Sequence, residues 1–284
     1  MSARPLGPSR RKVLALAALL GPASWRALRA GGPPDLAAAP GAAPDRRTTV
    51  FVVGDSTVHS AGRNGQWGWG ERLAPWFDPG RVTVANHAMA GRSSRSFLRE
   101  GRWAAVRSLL QPGDAVLIQF GHNDVGRVGD PAAKQRGVLP GIGEDTAEEA
   151  LPGGGVEQVR SFGAYLTAYL RDARAPGAVP VVVSPVPHRD RWRDGMDFAD
   201  IGAWGREVAR REGGLFIDLT QAVTQAYRAL GEAEVDRLFA DANTHTNDAG
   251  ATLNAACVAA LLRDLPPAAA VPRPRAEILT ASSP

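Results

Sequence analysis

The sequence predicts an α/β fold, an open parallel sheet with helices on both faces. Three observations lead there. Short runs of β-branched and aliphatic residues recur at about 48–54, 81–86, 114–120, 179–184 and 215–219, each the length of a strand buried on both sides. Helical periodicity fills the intervals, most clearly at about 68–77, 95–110, 156–174, 200–212 and 247–264. Asp78-Pro79-Gly80, Gln111-Pro112-Gly113 and Ala175-Pro176-Gly177 punctuate the helix ends. Strand and helix thus alternate five times, the pattern of successive βαβ crossovers.

In chain order, residues 1–30 come first, with Arg4, Arg10, Arg11, Lys12, Arg26 and Arg29 and no acidic residue. Arg10-Arg11-Lys12 precedes the short apolar run Val13–Leu20, and this resembles a twin-arginine (Tat) signal peptide. The expectation is a secreted or periplasmic protein exported by the Tat machinery. Residues 31–46, rich in Ala, Pro and Gly, read as a disordered linker. The folded domain is expected over 47–264, and the proline-rich stretch 265–284 as a loosely held tail.

A chain of 284 residues that is 44% apolar suffices for one domain with a real core. Outside the N-terminus no apolar run reaches the length of a membrane span. Removing the six leader cations from the net charge of +4 leaves −2, so the high pI carries no footprint for nucleic acid. The single cysteine, Cys257, lies in an Ala-rich helical segment and reads as a small buried hydrophobe. It can build neither a disulfide nor a cysteine zinc site.

The first strand, Val50-Phe51-Val52-Val53, runs into Gly54-Asp55-Ser56-Thr57. In an open α/β sheet, ligands collect beyond the strand C-termini, which puts Ser56 at the mouth of the expected cleft. The second strand is followed by Asn86-His87-Ala88-Met89-Ala90-Gly91-Arg92-Ser93, and the third by Gly121-His122-Asn123-Asp124. Residues 125–154 break the rhythm: seven glycines sit among prolines and charges without periodicity, as in a functional or disordered loop. Beyond the last strand comes Asp241-Ala242-Asn243-Thr244-His245-Thr246, and the final helix starts at Asn247 or Asp248, both good N-caps.

These small polar residues meet the needs of acyl transfer. A hydroxyl attacks a carbonyl carbon only when a base takes its proton, which His245 could do near neutral pH. The tetrahedral intermediate then needs donors already aimed at its oxyanion. The N–H groups of Ser56 and Gly91 and the side-chain amide of Asn123 are suitable. Gly91, without a Cβ, lets backbone approach a substrate closely.

Gly54-Asp55-Ser56-Thr57, Ala90-Gly91-Arg92-Ser93-Ser94-Arg95-Ser96, Gly121-His122-Asn123-Asp124 and Thr244-His245-Thr246 resemble the four blocks of SGNH (GDSL-type) hydrolases. The form of the first three, and the insertion Gly137–Thr146, resemble the rhamnogalacturonan acetylesterase branch. The resemblance covers about residues 48–263 and implies a three-layer α/β/α sandwich of the flavodoxin-like kind with a five-stranded parallel sheet. It implies Ser56 as nucleophile, His245 as base, and Ser56, Gly91 and Asn123 as oxyanion hole, with no metal or organic cofactor. The substrate implied is an acetylated polysaccharide; a lipid or other acyl ester, and a catalytically impaired carbohydrate-binding protein, are the alternatives.

One position departs from the family pattern. The acid usually stands three residues before the histidine, where this chain has Ala242; the nearest carboxylate is Asp241, four before. Either the loop carries an extra residue and Asp241 reaches the ring, or the acid is lost. Asp55 and Asp124 read as turn-fixing groups and His122 as a structural histidine. Arg92 and Arg95 could hold the second block or meet a uronate carboxylate. Trp67, Trp69 and Trp192 stand near strand ends, where an aromatic can stack on sugar or fill the core. Trp192 and Arg92 are the residues assigned to substrate contact.

Overall fold

The computed structural model describes residues 46–276. The leader, nearly all of the expected linker and residues 277–284 of the expected tail lie outside them. Five parallel strands, β1 (Thr48–Gly54), β2 (Val82–Asn86), β3 (Ala115–Gln119), β6 (Val179–Val183) and β7 (Leu215–Ile217), form one sheet in the order β2-β1-β3-β6-β7. β4 (Thr146–Ala150) and β5 (Val156–Arg160) form a separate antiparallel hairpin.

Side-chain alternation along the strands builds two apolar layers. Val50, Val52, Ala115 and Leu117 face one layer, with α5 (Leu219–Leu230), α6 (Glu232–Asp236) and α7 (Asp248–Asp264). Phe51, Val53, Val116 and Ile118 face the other, with α1 (Ser94–Arg99), α2 (Arg102–Arg107), α3 (Phe162–Arg174) and α4 (Ala199–Arg211). The sheet between two helical layers is the three-layer sandwich expected. α7 starts as anticipated: the Asn247 side chain accepts from the N–H groups of Ala249 and Gly250. Cys257 is buried in this helix, and burial pushes its thiol up to about 12. Among the described residues no helix is long and apolar enough to cross a membrane.

Several elements differ from expectation. The helix expected at 68–77 is two 3₁₀ turns, Trp69–Arg72 and Ala74–Trp76. Pro75 has no N–H to continue the first turn, and a Cβ on Gly68 would lie 2.1 Å from the Val58 carbonyl carbon. The helix expected at 95–110 breaks at Gly101, which takes a left-handed φ of 73°. Residues 156–160, expected as helix, are β5, and the aperiodic 125–154 contains its partner β4. The helix proper starts after Ser161, whose side chain accepts from the Ala164 N–H. α5 and α6 stand in a stretch given no element.

A two-stranded hairpin is marginal by itself, and this one is held by charge. Arg95, fully buried in α1, pairs with Glu149 of β4 and, at 2.5 Å, with Glu157 of β5, and donates to the Gly137 carbonyl at 2.9 Å. Arg99 adds a second cation to Glu157 at 2.8 Å. Removing one partner of such a buried pair typically costs about 3–5 kcal/mol. Arg95 therefore holds the insertion and is closed to any substrate.

Residues 265–276 are docked, contrary to the loosely held tail expected. Ala269 and Val271 are buried in the first layer, and Arg273 donates to the carbonyls of Leu262 and Arg263. The Arg275 N–H donates to Trp76 O at 2.7 Å and its guanidinium meets Asp78 at 3.2 Å. At the other end Arg47 reaches the Pro79 carbonyl at 3.3 Å. Both ends of the described chain thus lie against the turn that precedes β2.

Candidate active site

The order β2-β1-β3 makes β1 the strand from which the chain leaves first to one side and then to the other. Ligand crevices open at such a switch point, beyond the strand C-termini. The register Gly54↔Gln119 aligns the ends of β1 and β3, so the loops after them emerge together. A Cβ at position 54 would lie 2.6 Å from the Gln119 carbonyl oxygen, which explains glycine there.

Below Ser56 lies a buried polar chain. Asp55 Oδ1 accepts from the Thr57 N–H at 2.9 Å and the Thr57 hydroxyl at 2.8 Å. The Thr57 hydroxyl oxygen accepts from Gln119 Nε2 at 2.7 Å, and Gln119 Oε1 from the Trp69 indole at 2.8 Å. Every link pairs a donor with an acceptor, so the turn carrying Ser56 is fixed in shape. His122 lies on the same floor, its Nε2 donating to the Val186 carbonyl at 3.0 Å and its Nδ1 3.3 Å from Asp55 Oδ2. Asp55 thus fixes the turn by accepting from the Thr57 N–H, as expected.

Ser56 and His245 meet across 189 positions of sequence. The Ser56 hydroxyl lies 2.8 Å from His245 Nε2, and Asp241 Oδ2 lies 2.5 Å from Nδ1. Asp241 Oδ1 accepts from the N–H groups of Asn243, Thr244 and His245, at 3.0, 2.8 and 3.0 Å. One carboxylate oxygen thus shapes the loop while the other holds the ring. Burial works against the Asp241 charge, but the His245 ring and these N–H groups outweigh it and bring the carboxyl down to about 2. The stability it contributes is present above its ordinary value of 3.8 and is lost as pH falls through about 2. With Nδ1–H donating to Asp241, Nε2 offers its lone pair to the hydroxyl of Ser56.

The loop carrying His245 is clamped by Gln66 and Trp67, in the segment that follows the first block. Trp67 donates its N–H to Thr246 O at 2.8 Å and accepts the Thr246 hydroxyl at 3.0 Å, and Gln66 Nε2 reaches Asp241 Oδ2 at 3.3 Å. The N–H groups of Ser56 and Gly91 are spent on no other backbone acceptor among the described residues. Gly91 adopts a left-handed φ of 76°, the conformation that favours glycine. Asn123 donates through Nδ2 to Arg92 O at 3.2 Å and accepts through Oδ1 from Arg136 at 2.9 Å.

The family model described as the GDSL-like lipase/acylhydrolase family matches residues 52–253. The chain belongs to this family. A rhamnogalacturonan acetylesterase of Emericella nidulans is 32% identical over 214 residues, covering 72% of this chain and 80% of that protein. The rhamnogalacturonan acetylesterase RhgT of Bacillus subtilis is 33% identical over 208 residues, 70% of this chain and 77% of its own. Among solved structures, a Bacillus subtilis protein superposes with a TM-score of 0.62 at 25% identity over 77% of this chain; the chain spans 57% of that protein's length. As a GDSL-family member the chain is a carboxylic ester hydrolase.

Against the family pattern, the structure places the Asp241 carboxylate, four residues before the histidine, on the His245 ring. Ala240 N–H donates to His245 O at 2.8 Å and closes the loop on which both residues stand. Trp192, assigned to substrate contact, is instead a core residue at 6% exposure, packed edge-on against Tyr227 of α5 with ring centroids 5.8 Å apart. Its indole fills the first apolar layer and presents no open face to a sugar. Arg92 is engaged in holding its own loop, through Glu100 at 3.0 Å and the Ala90 carbonyl at 2.9 Å. Residues singled out by no sequence feature, Gln119 and Arg136, support the turn of Ser56 and the amide of Asn123.

The Asp124 side chain bonds backbone at the start of α1, with Oδ1 accepting from the N–H of Ser94 at 2.9 Å and its hydroxyl at 2.5 Å, and so ties the second block to the third. Complete burial pushes this carboxyl up to about 7 against the pull of those donors. Unfolded, it releases its proton near 3.8, so between that pH and about 7 the folded state binds more protons. Stability then falls as pH rises through this window. Asp124→Asn is expected to flatten that fall, read as unfolding temperature against pH for both proteins; parallel curves would contradict it.

Proposed function

We propose that the chain is an exported serine esterase that removes O-acetyl groups from a polysaccharide of the rhamnogalacturonan type. The observation that carries this reading is the line Asp241–His245–Ser56, with distances of 2.5 and 2.8 Å, at the sheet's switch point. The acetyl and polysaccharide parts draw support from the two relatives named as rhamnogalacturonan acetylesterases. Export rests on the Arg10-Arg11-Lys12 leader.

In the proposed reaction His245 Nε2 takes the Ser56 proton as Oγ bonds to the acetyl carbon. The carbonyl oxygen becomes an oxyanion and meets the N–H groups of Ser56 and Gly91 and the Asn123 amide. Collapse breaks the bond to the sugar oxygen, which leaves with the proton from His245. Water then attacks acetyl-Ser56, giving one proton to His245, and acetic acid departs as Ser56 Oγ recovers that proton, ionising to acetate in solvent. Asp241 holds the imidazole tautomer and balances the imidazolium charge.

The test joins labelling to selectivity. A fluorophosphonate probe should modify Ser56 alone, mapped by peptide mass. Nitrophenyl esters should be hydrolysed fastest as acetates, and acetate should be released from acetylated rhamnogalacturonan. Preference for acyl chains of about eight carbons, the length that an extended apolar pocket rewards, would move the reading to lipid esters. A protein that leaves the probe unreacted yet binds the glycan would be a binding module.

A further inference from the structure

We propose that Arg136 is a positioning residue of the oxyanion hole, which orients and polarises the Asn123 carboxamide from outside the four family blocks. The inference rests on the esterase reading above. Arg136 follows β3 in the glycine-rich insertion, and its NH1 donates to Asn123 Oδ1 at 2.9 Å and to Gly91 O at 3.3 Å. Its Nε donates to the Ala133 carbonyl at 3.2 Å. One guanidinium nitrogen therefore touches two of the three residues expected to receive the oxyanion, Asn123 through its side chain and Gly91 through its carbonyl.

The chemistry of the partners fixes the direction of the amide. A guanidinium only donates, so the Asn123 atom facing it is the oxygen; the Arg92 carbonyl only accepts, so the atom facing that is the nitrogen. Of the two Nδ2 hydrogens, one goes to Arg92 O and the other stays available to a substrate oxygen. Were the amide to turn over, it would offer an acceptor lone pair to a negative oxygen. A positive charge on the carbonyl side also draws electron density from the amide nitrogen, which strengthens its remaining N–H as a donor.

The backbone around Arg136 is rigidly placed. Arg136 N–H donates to Ala133 O at 3.0 Å and Val138 N–H to Asp124 O at 3.1 Å, the residue after Asn123. The Gly137 carbonyl accepts from the buried Arg95 at 2.9 Å. A Cβ at position 137 would lie 2.0 Å from the Gly126 carbonyl oxygen, so the two strands of this loop touch at backbone distance. The loop that follows β3 thereby reaches the site through the Arg136 side chain.

The test is a double-mutant cycle on nitrophenyl acetate with wild type, Arg136→Met, Arg136→Lys, Asn123→Ala and the double variant Asn123→Ala/Arg136→Met. Thermal unfolding is recorded for each. Arg136→Met should lower kcat about tenfold with KM changed less than about twofold, the split expected when only the transition state loses a partner. Arg136→Lys keeps the charge and should recover part of the loss. In the Asn123→Ala background the same Arg136→Met change should cost less than about twofold, because the amide it orients is gone and only the longer contact to the Gly91 carbonyl remains. An unchanged kcat in Arg136→Met, or an equal loss in both backgrounds, would overturn the proposal; the latter would mark a general structural role. If Arg136→Met does not fold, Arg136→Lys against Asn123→Ala/Arg136→Lys decides the same comparison. Wild type inert toward acetyl esters would end the esterase reading, and the Asn123 side-chain amide resonances would then decide the positional claim: a changed Nδ2 proton pair in Arg136→Met or Arg136→Lys supports it, an unchanged pair overturns it.

Discussion

Replacing Ser56 with alanine is expected to leave the fold intact and to lower acetyl-ester hydrolysis by a factor of about 10⁴ or more. The hydroxyl is the atom that would bond to the acyl carbon, and no second hydroxyl can take its place on His245 Nε2, whose side-chain partner is Ser56. The fold should not notice: among the described residues the other hydrogen bond of Ser56 is made by its carbonyl, which accepts from Ser60 Oγ at 2.5 Å and survives the change. The buried chain Asp55–Thr57–Gln119–Trp69 is untouched. Nitrophenyl acetate turnover and thermal unfolding, measured on one preparation, check both halves. Residual activity above about a thousandth of wild type would remove Ser56 from the chemistry, since what survives loss of a nucleophile is only oxyanion binding and proximity.

The second large effect is expected at Asp241. Asp241→Asn should cost about 10⁴ in kcat, because an amide facing Nδ1 no longer holds the imidazole in the required tautomer or balances its charge. Moving the acid to the position usual in the family, Asp241→Ala with Ala242→Asp, should not restore activity. Oδ1 of residue 241 caps three consecutive N–H groups, and the turn closed by Ala240 N–H and His245 O presents residue 241 to the ring. Recovery of kcat to within about tenfold of wild type would mean that the loop adapts freely to either register. Steady-state kinetics on Asp241→Asn and on the double variant decide it.

The sheet was legible because fully buried parallel strands leave uninterrupted apolar runs, and the bounds of β1, β3 and β6 fall within a residue or two of expectation. The pairing of Ser56 with His245 was legible through the resemblance of the four blocks, and the two side chains lie 2.8 Å apart. α5 carries a legible pattern outside the expected elements: Leu219, Ala222, Val223, Ala226, Tyr227 and Leu230 repeat at helical spacing behind the N-cap Asp218. The hairpin was not legible, because Thr146–Ala150 and Val156–Arg160 lack strand-favouring patterns and depend on Arg95, some fifty residues earlier. Trp192 misled because proximity to a strand end says nothing about the direction of a ring. Arg136 gave no local signal, as its partners Asn123 and Gly91 come from two other loops.

The reach of Arg47 to Pro79 and of Arg275 to Asp78 brings the beginning and end of the folded unit to one spot, where β2 starts. Parallel strands put that spot on the rim opposite the crevice. Anything joined to either terminus, whether an anchor, a tether or a fused module, would hang from the back of the molecule. The working rim would then stay clear to settle on a surface as broad as a polymer mat, and joining the two ends while opening the chain elsewhere should disturb it little.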